Sequence, residues 1–192
     1  MSNRNKKQTV KKRFPISQSF SFSNNDYKIK NRSKVKMNKG DLQRLGKIAR
    51  KDFKNFCKRN PKYKVLDIKA ICLCQGGAVH YLDGKNGIHD FDVFLIFDKA
   101  QTPRYPHRTI HKLDYGTNKF GKAQKPEYSH FVGRKVDILG SSISFKQDQT
   151  PQDAIRGWLK GKKSIRPKCL AEKAIIGIEP VLGEVIYRSE NI

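Results

Sequence analysis

The feature that most constrains this chain is an ordered set of motifs: Gln75-Gly76-Gly77, then Asp90-Phe91-Asp92-Val93, then Lys135-Val136-Asp137-Ile138. A paired glycine breaks one apolar run. Two carboxylates follow at alternate positions of a second, and a third acid sits inside another. Burying isolated carboxylates is costly unless something compensates them. A divalent cation is the simplest compensation, and oxygen-only ligands select Mg²⁺ or Mn²⁺. The pattern points to phosphoryl or nucleotidyl chemistry.

Spacing turns these motifs into a site. Twelve residues separate Gly77 from Asp90, enough for a helix and a loop to return the chain beside the first strand. Asp90 and Asp92 are two apart, so in a strand they share a face, while Phe91 and Val93 face a core. Asp137, on an adjacent strand, is the candidate third ligand. A glycine turn between strand and helix offers backbone N–H groups to phosphate oxygens, helped by the helix N-terminus. For each acid taken singly, a capped loop or a pairing with lysine stays open; the three in this order favour a metal site.

The surrounding pattern predicts a helix over Gly40–Asn60, with Leu42, Leu45, Ile48, Phe53 and Phe56 on one face and Asn60-Pro61 ending it. Val65–Leu73 reads as a buried strand, Ala78–Leu82 as a short helix, Asp83–Gly87 as a loop and Asp90–Phe97 as a second buried strand. Residues 99–128 read as loops with one short strand near Thr109–Leu113. Phe131–Ile143 reads as a strand. Thr150-Pro151 opens a helix to about Lys160, and a last helix is expected over Pro167–Ile178, with Gly177 and Pro180 marking its end. The class is α/β (α+β): a small mixed sheet with flanking helices. The domain spans residues 39–192 and follows a basic arm of residues 1–38.

In order and spacing, Gly76-Gly77, Asp90-Phe91-Asp92 and Asp137 resemble the nucleotidyltransferase superfamily related to DNA polymerase beta. The family's pattern is a strand, Gly-Gly or Gly-Ser, a short span, Asp-x-Asp, and a later acid on a neighbouring strand. The resemblance covers roughly Lys64–Leu139 and the helix before it, and the short chain looks like a minimal member. It implies a sheet of the nucleotidyltransferase type, with Asp90, Asp92 and Asp137 as catalytic metal ligands and Gly76 and Gly77 at the nucleotide. It also implies Mg²⁺ or Mn²⁺ as cofactor, an NTP as donor, and an acceptor hydroxyl on RNA such as tRNA, or on protein. Many members carry serine where this chain has Gly77, which keeps the backbone donors without the hydroxyl.

Charge narrows the partners. Lys and Arg number 41 against 17 Asp and Glu, a net +24. Such a field attracts polyanions, mostly without sequence preference. Lys6, Lys7, Lys11, Lys12 and Arg13 are the candidate nucleic-acid contacts of the arm, with Phe14, Phe20 and Phe22 available for anchoring or stacking. RNA is the expected partner; a non-catalytic nucleic-acid-binding protein with the same fold is the alternative. Cys57, Cys72, Cys74 and Cys169 form no CxxC pair and read as buried thiols in a reducing compartment. No apolar run is long enough to span a membrane and no signal-peptide core follows Met1, so the expected location is cytoplasmic. His80 and His89 flank the site. Arg134 and Lys135 are candidates for triphosphate or RNA contact, or for a solvated strand end. Lys119-Phe120-Gly121-Lys122 suits stacking or phosphate contact, and Trp158 reads as core.

Overall fold

The computed structural model describes residues 35–106, 110–161 and 165–192. Helix α1 (Lys39–Arg59) starts at a capping box: the Asn38 side chain accepts from the Asp41 N–H, and the Asp41 carboxylate accepts from the Asn38 N–H. Leu42, Leu45, Ala49 and Phe56 are its buried face. Asn60-Pro61 ends it and a 3₁₀ turn, Pro61–Val65, follows. The chain continues as β1 (Ile68–Cys74), α2 (Gln75–Asp83), β2 (Phe91–Asp98), β3 (Ile110–Asp114) and β4 (Lys135–Ile143). It ends with α3 (Pro151–Lys160), α4 (Ile165–Ala171), β5 (Ala174–Glu179) and β6 (Val185–Arg188).

One six-stranded sheet, ordered β3-β4-β2-β1-β5-β6, unites the strands. Only β2 and β4 run parallel; the other neighbours are antiparallel. The mixed α/β class expected from the sequence is therefore present. Alternation along β2 divides the core. Phe91, Val93, Leu95 and Phe97 pack under α1 and α2, while Phe94 and Ile96 pack under α3 and α4. Both faces are covered, which is why β1 and β2 read as almost continuous apolar runs.

Several expectations need correction. The expected helix over Pro167–Ile178 is instead the short α4 followed by β5. Ala174-Ile175-Ile176-Gly177-Ile178 is rich in β-branched residues and buried on both faces, and pairing with β1 outweighs its helical neighbours. The edge strand β6 was not expected at all. Val65 lies in the 3₁₀ turn, so β1 starts three residues late. Residues 131–134 precede β4 rather than belong to it. Cys169 is exposed, unlike the other three thiols. The arm contacts assigned to Lys6, Lys7, Lys11, Lys12 and Arg13, and Phe14, Phe20 and Phe22, lie outside the described residues. Close to the arm's expected boundary, Met37 is buried in the core. Among the described residues no helix is long and apolar enough to cross a membrane.

Candidate active site

The strand-to-helix junction forms one wall. Gly76-Gly77 was expected as a turn ahead of a helix; it lies inside the first turn of α2, which begins at Gln75. The sharp change of direction falls on Gln75, a non-glycine residue with φ 60°. That conformation costs roughly 1–2 kcal/mol. The Gln75 side chain is tied down, its Nε2 donating to the Cys169 carbonyl of α4 at 2.8 Å. The two glycines do different work. A Cβ on Gly77 would meet Leu73 Cδ1 at 3.0 Å and Phe91 Cδ1 at 3.3 Å, so glycine lets α2 sit close against β1 and β2. A Cβ on Gly76 would meet nothing within 4 Å. Its backbone therefore borders open space, where first-turn N–H groups lack intrahelical acceptors.

The acids form the other wall. Asp92 is the register partner of Asp137 across the parallel β2–β4 pair, and of Cys74, the residue before α2, across β1–β2. Lys112 on β3 is in turn the register partner of Asp137. Register partners share a sheet face, so Lys112, Asp137, Asp92 and Cys74 make one row on the α3–α4 side. Asp90 precedes β2 at the same end. The structure thus places the three carboxylates and the start of α2 at the same end of the sheet.

A cation not singled out for this role stands among them. Lys135 Nζ lies 2.7 Å from Asp137 Oδ2 and 3.1 Å from Asp90 Oδ2, with its side chain 13% exposed. Burial works to lower its pKa, but the hydrogen bonds to Asp137 and Asp90 outweigh burial and raise it. The signal was present in the sequence: Lys135 is two residues before Asp137, hence on the same strand face. Asp137 Oδ1 is buried with no hydrogen-bond partner. Asp92 is more exceptional still. Burial, then the charges of Asp90 and Asp137, push its carboxyl up to about 7 against the pull of Lys135 and Lys173. Among the described residues no three His, Cys, Asp or Glu side chains are drawn together around a common point as they stand. The ammonium of Lys135 holds two of the three acids instead.

Neighbouring residues fix this end of the sheet. Asp114 accepts from the N–H groups of Gly116, Val132 and Gly133 at 2.7–2.9 Å, which sets the entry into β4. Arg134 is turned away from solvent. It is 2% exposed, and its guanidinium donates to the Phe120 and Lys122 carbonyls at 2.6 and 2.8 Å. Phe120 is fully buried and Lys119 pairs with Asp41, so the aromatic expected to stack on bases is core and Lys119 buttresses α1, while Lys122 stays exposed. His80 is fully buried and bonded to the Asn86 and Val35 carbonyls, a structural role. His89 is half-exposed and reaches Asp90 at 3.5 Å. Trp158 is partly buried against the α3–α4 side of the core.

No family model, curated protein or solved structure matches this chain.

Proposed function

We propose that the chain is a metal-dependent nucleotidyltransferase that moves an NMP from an NTP to an acceptor hydroxyl, with RNA as the leading acceptor and a protein hydroxyl the other. The observation that carries the reading is the row of acids: Asp92 and Asp137 in register on parallel strands, Asp90 beside them, and an unpartnered buried oxygen on Asp137. A binding module has no reason to bury a carboxylate whose ionisation is opposed up to about pH 7. The all-carboxylate donor set suits a hard cation. Asp90, Asp92 and Asp137 would hold Mg²⁺ or Mn²⁺. Bound there, divalent metal neutralises triphosphate charge and lowers the pKa of the acceptor hydroxyl.

The chain's own groups supply the rest. Backbone N–H groups of Gly76 and Gly77, at the positive end of α2, donate to phosphate oxygens in the open space beside Gly76. Gln75 and the α4 carbonyl it holds keep that turn fixed, so donors are placed before substrate arrives. Lys135, freed from the acids, is a local cation for triphosphate oxygens. Attack of the acceptor hydroxyl on the α-phosphate forms the new phosphodiester bond, and pyrophosphate leaves. Such an enzyme works where NTPs are abundant, in the cytoplasm.

The test is incubation with each α-labelled NTP, Mg²⁺ or Mn²⁺, and total RNA or total protein. Label should appear in one fraction with wild type and not with Asp92→Asn or Asp137→Asn. Absence of label in every fraction, together with absence of Mn²⁺ binding by calorimetry, would leave the non-catalytic nucleic-acid-binding alternative.

A further inference from the structure

Helix α1 carries two carboxylates, and both point inward. Asp41 accepts from Tyr115 Oη at 3.0 Å and lies 2.6 Å from Lys119 Nζ. Asp52 lies 2.5 Å from His111 Nδ1. The solvent side of α1 therefore carries no negative charge. Along it, Arg44, Lys47, Lys51, Lys54 and Lys58 are all exposed. Their spacing of three, four, three and four residues places them in one stripe on the helix. Arg44 is partly engaged, its Nε donating to the Tyr115 carbonyl at 2.8 Å. Among the described residues none of the four lysines has an ion-pair partner.

That arrangement works against the isolated helix, because like charges three and four residues apart repel. Core packing does not require it either, since the apolar face is on the other side. Shape adds a second observation. Three shallow depressions flank α1. One of about 380 Å³ includes Arg44, Lys47 and Lys119. A second of about 550 Å³ includes Lys47 beside an Arg50 already paired with Glu179, and a third of about 470 Å³ includes Lys51, Lys54 and Lys64. From Arg44 to Lys58 the stripe runs about 21 Å, the span of several phosphates of one strand.

From this charge and shape complementarity we infer that the exposed face of α1 is the docking surface for the RNA backbone. The inference rests on the RNA acceptor of the preceding reading. It adds a division of labour: α1 packs on the sheet face opposite the row of acids. An RNA held on the stripe must pass the end of the sheet to bring a hydroxyl to Asp92. Docking and chemistry are then separable by mutation.

The experiment uses the full chain, a fluorescein-labelled 20-nucleotide oligo(U) RNA and anisotropy titrations over a range of salt. The variant replaces Lys47, Lys51, Lys54 and Lys58 by Gln. A charge-matched control replaces four other exposed lysines, Lys85, Lys125, Lys146 and Lys160, by Gln. The slope of log K against log salt should shrink by about 2–3 in the stripe variant, at about 0.7 per lost contact, and by less than about 1 in the control. Melting temperature should hold or rise in the stripe variant, because repulsion is removed; a purely structural stripe would lower it. If that variant fails to fold, the single change Lys51→Glu carries the same test, with a slope change of about 1. Equal slope changes in stripe variant and control, or none in either, would overturn the inference. So would unchanged RNA binding alongside lost binding to phosphatidylserine vesicles, which would make α1 a membrane surface. Mn²⁺ binding measured on the same variants stays at the wild-type level if only docking is affected, so failure of the docking surface and failure of the metal site are read separately.

Discussion

Replacing Asp92 by Asn should make the metal-free protein more stable, by a margin that opens near about pH 4, grows with pH and levels off just above about pH 7. The Asp92 carboxyl is moved from its ordinary 3.8 up to about 7 by burial and by Asp90 and Asp137. The native state therefore holds a proton that the unfolded chain releases. Where the native state binds more protons, stability falls as pH rises. The loss starts near pH 4 and is complete just above pH 7, where both states are ionised. At about 1.4 kcal/mol per pH unit the penalty amounts to about 4 kcal/mol. Asparagine has the shape of the protonated acid and never ionises. Its advantage over wild type should be close to zero at pH 4 and approach about 4 kcal/mol at pH 8. For a chain of this size that is an increase in Tm of about 8–16 °C. Lys135 keeps its contacts to Asp90 and Asp137 in the variant, so no new unpaired charge offsets the gain. The assay is urea denaturation of both proteins in EDTA at pH 4, 6 and 8. A variant less stable than wild type at pH 8, or a difference that does not change with pH, would refute the reasoning and make Asp92 half of a structural ion pair.

Other perturbations of the same site should separate metal, phosphate and packing. Lys135→Met leaves Asp90 and Asp137 without their ammonium; the metal-free protein should lose about 1–3 kcal/mol, while Mn²⁺ affinity measured by calorimetry should rise because a competing cation is gone. Gly76→Ala should leave the free energy of unfolding within about 0.5 kcal/mol of wild type, since its Cβ meets nothing, yet should weaken nucleotide binding by crowding the phosphates. Gly77→Ala should do the reverse first, lowering stability by about 1–3 kcal/mol through the Leu73 and Phe91 contacts.

The parts of the site that were legible in the sequence are those fixed by strand periodicity. Asp90 and Asp92 sit two apart in an apolar run, and an adjacent strand is the expected place for the third acid; that the neighbour β4 runs parallel to β2 came from the structure. Capping chemistry served as well: Thr150 accepts from the Asp153 N–H and Pro151 opens α3, as expected. What was hidden depends on pairing at a distance. Ala174–Glu179 looks helical beside α4 and becomes a strand because β1 needs a second partner. Phe120 and Arg134 looked like surface contact residues. They are buried because Gly133 approaches Thr117 so closely that a Cβ would lie 2.2 Å from its carbonyl oxygen, folding that segment onto the core. The two-residue spacing puts Lys135 on the same strand face as Asp137, but its second partner, Asp90, comes from the start of another strand, and local sequence does not show that contact.

The most direct test of the central claim is calorimetric titration of the full chain with ATP, CTP, GTP and UTP in turn, each with Mg²⁺ and again in EDTA. The account predicts saturable binding of at least one nucleotide that requires the metal and disappears in both Asp92→Asn and Asp137→Asn. Binding that is indifferent to metal and to both substitutions, or no binding of any nucleotide, would contradict it.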